Sequence, residues 1–173
     1  MPNQERETRL PYPKSIRWFC LSALIVFLDY ISKIAVLSYF FTGESRVVTS
    51  FLNLVLVFNK GAAFSFLAGA SGWQTPVFAI IAVVAAIVVS VLILKNTDKK
   101  IFCCGLALIL GGALGNLCDR LLYGQVVDFL DFHAAGWHWP AFNVADSAIT
   151  AGAGILILEG FLHRDEGRRE TRA

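Results

Sequence analysis

Charge is scarce in this chain. Asp, Glu, Lys and Arg make up 16% of its 173 residues, against about a quarter in soluble domains. Hydrophobic residues reach 56% and the mean hydropathy is +0.62, so the expected solvent is a bilayer. A net charge of +2 is too small to point to nucleic acid as a partner. The four cysteines, Cys20, Cys103, Cys104 and Cys118, form no CxxC pair. Their setting in apolar runs argues against a disulfide framework or a zinc site and suggests small buried thiols. The chain also lacks HExxH and GxSxG motifs, which weighs against zincin and serine-hydrolase chemistry. Metal hydrolysis would have to recruit Asp128, Asp131, His133 and His138, whose spacing fits no standard zinc pattern. No metal or other cofactor is expected. Repeats, low-complexity linkers and a soluble domain are absent as well.

Long apolar runs are what the chain has in quantity. A helix crosses the hydrocarbon core with roughly 20 mostly apolar residues, and four stretches serve: about Ile16 to Phe40, Thr75 to Leu94, Ile101 to Cys118 and Ala145 to Leu162. The last two are short and Gly-rich, which permits close helix approach in lipid. The first is too long for a cleavable signal peptide and lacks a clean small-residue cleavage site, so it is expected to be retained. Lys and Arg concentrate before the first span, in the 95–100 connection and in the tail, which puts both termini and that connection in the cytoplasm. Residues 1–14 and 164–173 read as solvated tails. The other two connections then face outward. One reads VVTSFLNLVLVF from Val47 to Phe58 and ends at a turn, Asn59-Lys60-Gly61; it is expected to be a strand or hairpin. GQVVDFLDF is expected to add another strand, and Trp73, Trp137, Trp139 and Phe142 suit an aromatic belt at headgroup level.

Against this apolar background the carboxylates stand out. Asp29 and Lys33 lie four apart on the first span and can neutralise each other; an internal ion pair is the favoured reading. Asn116, Asp119 and Arg120 share the outer end of the third span, where Asp119 and Arg120 can form a scaffold. The Asn-x-x-Asp spacing recurs at Asn143 and Asp146. Asp128 lies eight residues past Arg120, far enough for the chain to turn back toward Asp146. Two carboxyls that meet cannot both ionise easily, so they share a proton near neutral pH, as an aspartic protease requires. Helix capping competes as an explanation for Asn143 and Asp131 taken singly. A proton-coupled transporter would need carboxylates through the bilayer, yet the second span has none. A non-catalytic assembly subunit would tolerate loss of either aspartate.

The segments LDYISK (28–33), FNKGAAFSF (58–66), GGALGNLCDR (111–120), VVDF (126–129) and PAFNVADSAIT (140–150) together resemble the ordered signature blocks of the lipoprotein signal peptidases, or signal peptidase II. The resemblance covers about residues 16 to 162. It implies a single membrane-embedded peptidase domain of four transmembrane helices with a small outer β-structured cradle. It also implies a multi-pass aspartic endopeptidase of the bacterial inner membrane, active near the periplasmic face. Its substrates would be diacylglyceryl-modified prolipoproteins, cut just before the lipidated lipobox cysteine. Membrane lipid and globomycin-type cyclic peptide antibiotics are the other implied partners, and a monomer is expected. Carried onto this sequence, the catalytic pair is Asp128 and Asp146. Asn59, Asn116, Arg120 and Asn143 shape the site or contact substrate and inhibitor, and Asp29, Lys33, Asp119 and Ala145 support it. Asp119 competes with Asp128 for the dyad. Asp128 is preferred because Arg120, beside Asp119, would hold that carboxylate ionised. The 51–66 and 129–139 segments are expected to grip an extended substrate.

Overall fold

The structure, a computed structural model, describes residues 13–61 and 73–170, with side chains through 162. Four helices carry the apolar runs: α1 (Ile16–Tyr39), α2 (Gln74–Lys95), α3 (Lys100–Tyr123) and α4 (Val144–Glu170). Each is long and apolar enough to cross a membrane, α4 through Leu162. Their starts fall within a residue of the expected ones. Two ends do not. α4 continues to Glu170 where a tail was expected, and α3 runs past Cys118 to Tyr123, where Gly124 takes the left-handed conformation (φ 70°) and its N–H bonds to the Arg120 carbonyl. Glycine adopts that conformation without a Cβ penalty, so it is the stop signal.

α3 is the central helix, packed against the other three. Small residues bring the backbones together. A Cβ on Gly152 would meet the Gly105 carbonyl, one on Gly112 would meet Ala145 and Ile149, and one on Gly111 would meet Ile25 of α1. Such approach replaces the hydrophobic drive that lipid cannot supply between helices. α2 buries only Gln74, Val89 and Ile93 and exposes Ile80, Ile81, Val84, Ile87 and Val88. A helix that is apolar all round suits lipid contact. Trp18, Val89, Ile93, Cys103, Leu106, Ala107 and Leu110 form the core at the end near the α2–α3 connection. Of the expected buried thiols, Cys103 is buried but Cys20 is exposed on the surface of α1, as a thiol facing lipid can be.

At the opposite end sits an antiparallel sheet of β1 (Ser45–Thr49), β2 (Leu52–Asn59), β3 (Val126–Ala134) and β4 (Trp137–His138), in that order. The Val47–Phe58 stretch is thus a hairpin turning at Ser50-Phe51, and VVDFLDF is a strand. Val36, Leu56, Val127 and Phe129 fasten the sheet to α1. Trp73, Trp137 and Trp139 are exposed beside it. The β2–β3 ladder is irregular: Asn53 opposes Asp131 and Leu54 opposes Leu130, but Val57 opposes Asp128. β2 therefore carries one extra residue, a bulge at Val55-Leu56. Side chains alternate faces along a strand, so a bulge reverses which residues share a face. Asp131 and Asp128, three apart, lie on opposite faces of β3; the bulge lets Asn53 and Asn59, six apart, serve one each.

Candidate active site

The free edge of β3 holds the chain that leads into α4. Phe142 N–H donates to the Leu130 carbonyl (3.1 Å), and the Phe129 and Leu130 N–H groups donate to the Phe142 carbonyl (3.0 and 2.8 Å). This small bridge sets Asn143 beside Asp128. Asn143 then caps α4: its Oδ1 accepts the Asp146 N–H at 2.9 Å, as an N-cap side chain does for the third helical residue. Its Nδ2 donates to Asp128 Oδ1 at 2.7 Å and lies 3.2 Å from Asn116 Oδ1 and the Val127 carbonyl. One fully buried amide thereby engages both aspartates.

The remaining donors complete the pair. Asn59 Nδ2 donates to Asp128 Oδ2 (3.0 Å) while its Oδ1 accepts the Gly61 N–H (2.8 Å). Asn116 Nδ2 donates to Asp146 Oδ1 (2.8 Å). Asp128 and Asp146 are 1% and 4% exposed. Burial, and secondarily the charge of Asp146, push Asp128 from its ordinary 3.8 up to about 7, against the opposing pull of Asn59, Lys33 and Asn143. Both carboxyls are thus buried and held by amide donors, and the charge of Asp146 acts on Asp128.

Asp119 does not pair with Arg120 as expected. Adjacent helical residues point about 100° apart, so the two diverge. Lys33 Nζ lies 2.8 Å from Asp119 Oδ2 and 2.6 Å from Asp29 Oδ2, the ion pair foreseen within α1. Arg120 instead donates to the Gly61 carbonyl (2.8 Å) and the Asn116 carbonyl (3.1 Å), with its guanidinium 5.6 Å from the centre of the Phe78 ring. Ala145, fully buried, gives its N–H to Asp29 Oδ1 at 2.9 Å.

Among the described residues, two hollows include Asp146 in their walls. One of about 230 Å³ lies among α2, α3 and α4, lined by Phe78, Ile81, Asn116, Arg120 and Ile149. The other, about 410 Å³, is lined by Trp139, Phe142, Ser147 and Thr150. A larger apolar hollow at the sheet, about 540 Å³ and bounded by Phe51, Phe132, Trp137 and Phe142, reaches neither carboxyl of the pair. Asp131 lies apart, bonded to Asn53 Nδ2 (2.9 Å) and His138 Nδ1 (2.8 Å). Among the described residues no three His, Cys, Asp or Glu side chains converge as metal ligands. Of the expected gripping segments, residues 62–66 lie outside the described residues. The Phe142 bridge and the reach of Lys33 to Asp119 and Asn116 carry no local sequence signal; both are contacts between distant segments.

The family model for signal peptidase (SPase) II matches residues 21–162. The lipoprotein signal peptidase of Janthinobacterium sp. (strain Marseille) is 56% identical over 82% of this chain and 86% of its own. That of Ralstonia nicotianae is 56% identical over 90% and 86%. A solved bacterial membrane enzyme, determined by the in meso method at 2.3 Å, superposes with a TM-score of 0.76 at 31% identity, covering 88% of this chain and 90% of that one. A helical bundle with a small sheet, matched over nearly its whole described length by these relatives, makes this chain a member of the signal peptidase II family.

Proposed function

We propose that the protein removes signal peptides from diacylglyceryl-modified prolipoproteins, cutting just before the lipidated lipobox cysteine with Asp128, Asp146 and a water. The observation that carries this reading is Asn143, which bonds Asp128 and caps the turn holding Asp146. With Asp128 pushed to about 7, we place the shared proton on Asp128 and take Asp146 as the base. Asp146 takes a proton from water as the water oxygen bonds to the scissile carbonyl carbon, and Asp128 gives its proton to the carbonyl oxygen. On collapse the C–N bond breaks, the cysteine nitrogen takes the proton from Asp146, and a hydroxyl of the diol returns one to Asp128. Products are a signal peptide carboxylic acid and a free amino group on the lipidated cysteine.

The hollow among α2, α3 and α4 supplies apolar walls for the signal peptide, with Arg120 and Asn116 at its polar end. Globomycin-type cyclic peptides would compete for it. The distribution of Lys and Arg favours cytoplasmic termini and a site near the periplasmic face of the inner membrane, and the enzyme acts as a monomer on its lipid-embedded substrate. The test is cleavage of a purified diacylglyceryl-modified lipobox peptide by the parent and by folded Asp128→Asn, Asp146→Asn and Asp119→Asn, with and without chelator. Loss of cutting in the first two, residual turnover in the third and no chelator effect are expected. Cleavage by Asp128→Asn with a dead Asp119→Asn would replace Asp128 by Asp119 in the pair, and a parent that never cuts would overturn the protease reading.

A further inference from the structure

Asp29 and Asp119 do the same thing at two places. Asp119 Oδ2 accepts the N–H of Val127, the residue just before Asp128, at 3.0 Å. Asp29 Oδ1 accepts the N–H of Ala145, the residue just before Asp146, at 2.9 Å. Lys33 Nζ bridges them, 2.6 Å from Asp29 Oδ2 and 2.8 Å from Asp119 Oδ2. We propose that Lys33 is a positioning residue: it joins Asp29 and Asp119 into one clamp that sets the separation of Asp128 and Asp146, and so how strongly the pair shares a proton. The proposal rests on the dyad reading above.

Lys33 has three N–H donors, and its third partner is Asn116 Oδ1 at 3.2 Å. That contact turns the Asn116 amide nitrogen toward Asp146 Oδ1. Every group that Lys33 holds therefore acts on a dyad aspartate or on the backbone immediately before one. An ion pair that merely neutralised α1 would need Asp29 alone. Lys33, Asp29 and Asp119 are 1%, 1% and 3% exposed, so water does not loosen the clamp. Space for it is also provided. A Cβ on Gly115 would fall 2.7 Å from Asp29 Oδ2 and 3.3 Å from the Ala145 Cβ, so only bare backbone lets Asp29 pass α3 to reach α4. Among the described residues, the charged groups facing the pair are Lys33 and Asp29 from α1, and Asp119 and Arg120 from α3.

The test is the pH dependence of kcat and kcat/KM for the full-length enzyme on the diacylglyceryl-modified lipobox peptide. Parent, Lys33→Met, Asp29→Asn and Asp119→Asn are compared, with the folded fraction measured at each pH. Carboxyls held close release their protons in two well-separated steps, so the active form spans a wide bell. Loosening the clamp brings the steps together. Lys33→Met is expected to lower kcat by about 100-fold, as misplaced catalytic groups do, with KM within about twofold and the bell narrowed, while loss of the ammonium charge shifts it upward as a whole. Lys33→Met also strands two buried carboxylates and can fail to fold. The asparagine variants leave Lys33 one carboxylate and keep an acceptor for each N–H, so they fold, and they show the same narrowing to a smaller degree. A bell of unchanged width in a folded variant, with kcat down only by the folded fraction, reduces Lys33 to a structural anchor and overturns the proposal. Asp128→Asn and Asp146→Asn run alongside: if either still cuts at the parent's rate, it is the dyad reading that fails, and the clamp with it.

Discussion

Asp128→Asn is expected to abolish cleavage and yet to gain stability relative to the parent as pH rises. Asp128 is 1% exposed, and burial together with Asp146 raises it from 3.8 to about 7. Between those values the folded carboxyl keeps a proton that the unfolded one has lost. Each pH unit upward therefore removes about 1.4 kcal/mol of stability from the parent, about 4 kcal/mol over the window. The contribution is whole below pH 3.8 and gone above about 7. Asparagine does not titrate. It carries a constant penalty instead, because its NH₂ must oppose either Asn59 Nδ2 or Asn143 Nδ2, a mismatch of about 1–3 kcal/mol at every pH. The quantity to follow is thus the difference between variant and parent, which should swing by about 4 kcal/mol in favour of the variant from pH 4 to pH 8. For a chain of this size that is about 8–16 °C in Tm. Thermal unfolding in one detergent at one heating rate measures it, since membrane proteins often unfold irreversibly. A difference that stays flat with pH, or swings the other way, would refute burial as the origin of the raised pKa and remove the reason for placing the proton on Asp128.

Gly112→Ala should separate α3 from α4 beside Asp146, because its Cβ would meet the Ala145 carbonyl and Ile149; a loss of about 1–3 kcal/mol and reduced turnover are expected, while Gly154→Ala, with nothing within 4 Å, leaves both Tm and turnover intact. Arg120→Lys cannot reach both the Gly61 and Asn116 carbonyls, and loss of one charge-assisted bond, about 1.5–3 kcal/mol, should lower kcat/KM about tenfold or more in steady-state assays. Burial raises Asp131, but Asn53, His138 and His133 together outweigh it and hold the carboxyl below its ordinary 3.8. Its contribution is therefore present above 3.8 and lost as pH falls through the depressed value. With His138 half exposed, Asp131→Asn should remove about 1 kcal/mol or less at pH 7, less in strong acid, and leave cleavage of the lipobox peptide within about twofold.

The helices were legible because their apolar runs are long and their polar boundaries abrupt. The apolar run of α3 ends at Cys118, where Asp119 and Arg120 mark a polar boundary, whereas the helix itself stops at Gly124. For the strands, composition indicated β structure but not the turn at Ser50-Phe51, which has no strong turn dipeptide. The Asp29–Lys33 pair followed from helical spacing. Its second carboxylate, Asp119, comes from another helix, and no local rule separates that partner from the adjacent Arg120. Likewise, Asn143 is set between Asp128 and the Asp146 N–H by the Phe142–Leu130 bridge, a pairing of non-consecutive segments that no periodicity announces.

The extra residue at Val55-Leu56 makes strand length a carrier of meaning. A sheet repeats every two residues, so inserting one residue acts like a shift of reading frame: everything downstream changes sides. Delete either residue and the β2–β3 ladder becomes smoother and better paired, yet Asn59 is carried to the wrong side of the sheet and Asp128 keeps only the Asn143 donor. Regularity of the ladder and the Asn59–Asp128 bond are opposed at this one position. The turn at Ser50-Phe51 lies upstream of the shift, so a change of length there leaves the frame of Asn53 and Asn59 unaltered, at the cost of the bond from the His133 N–H to the Phe51 carbonyl.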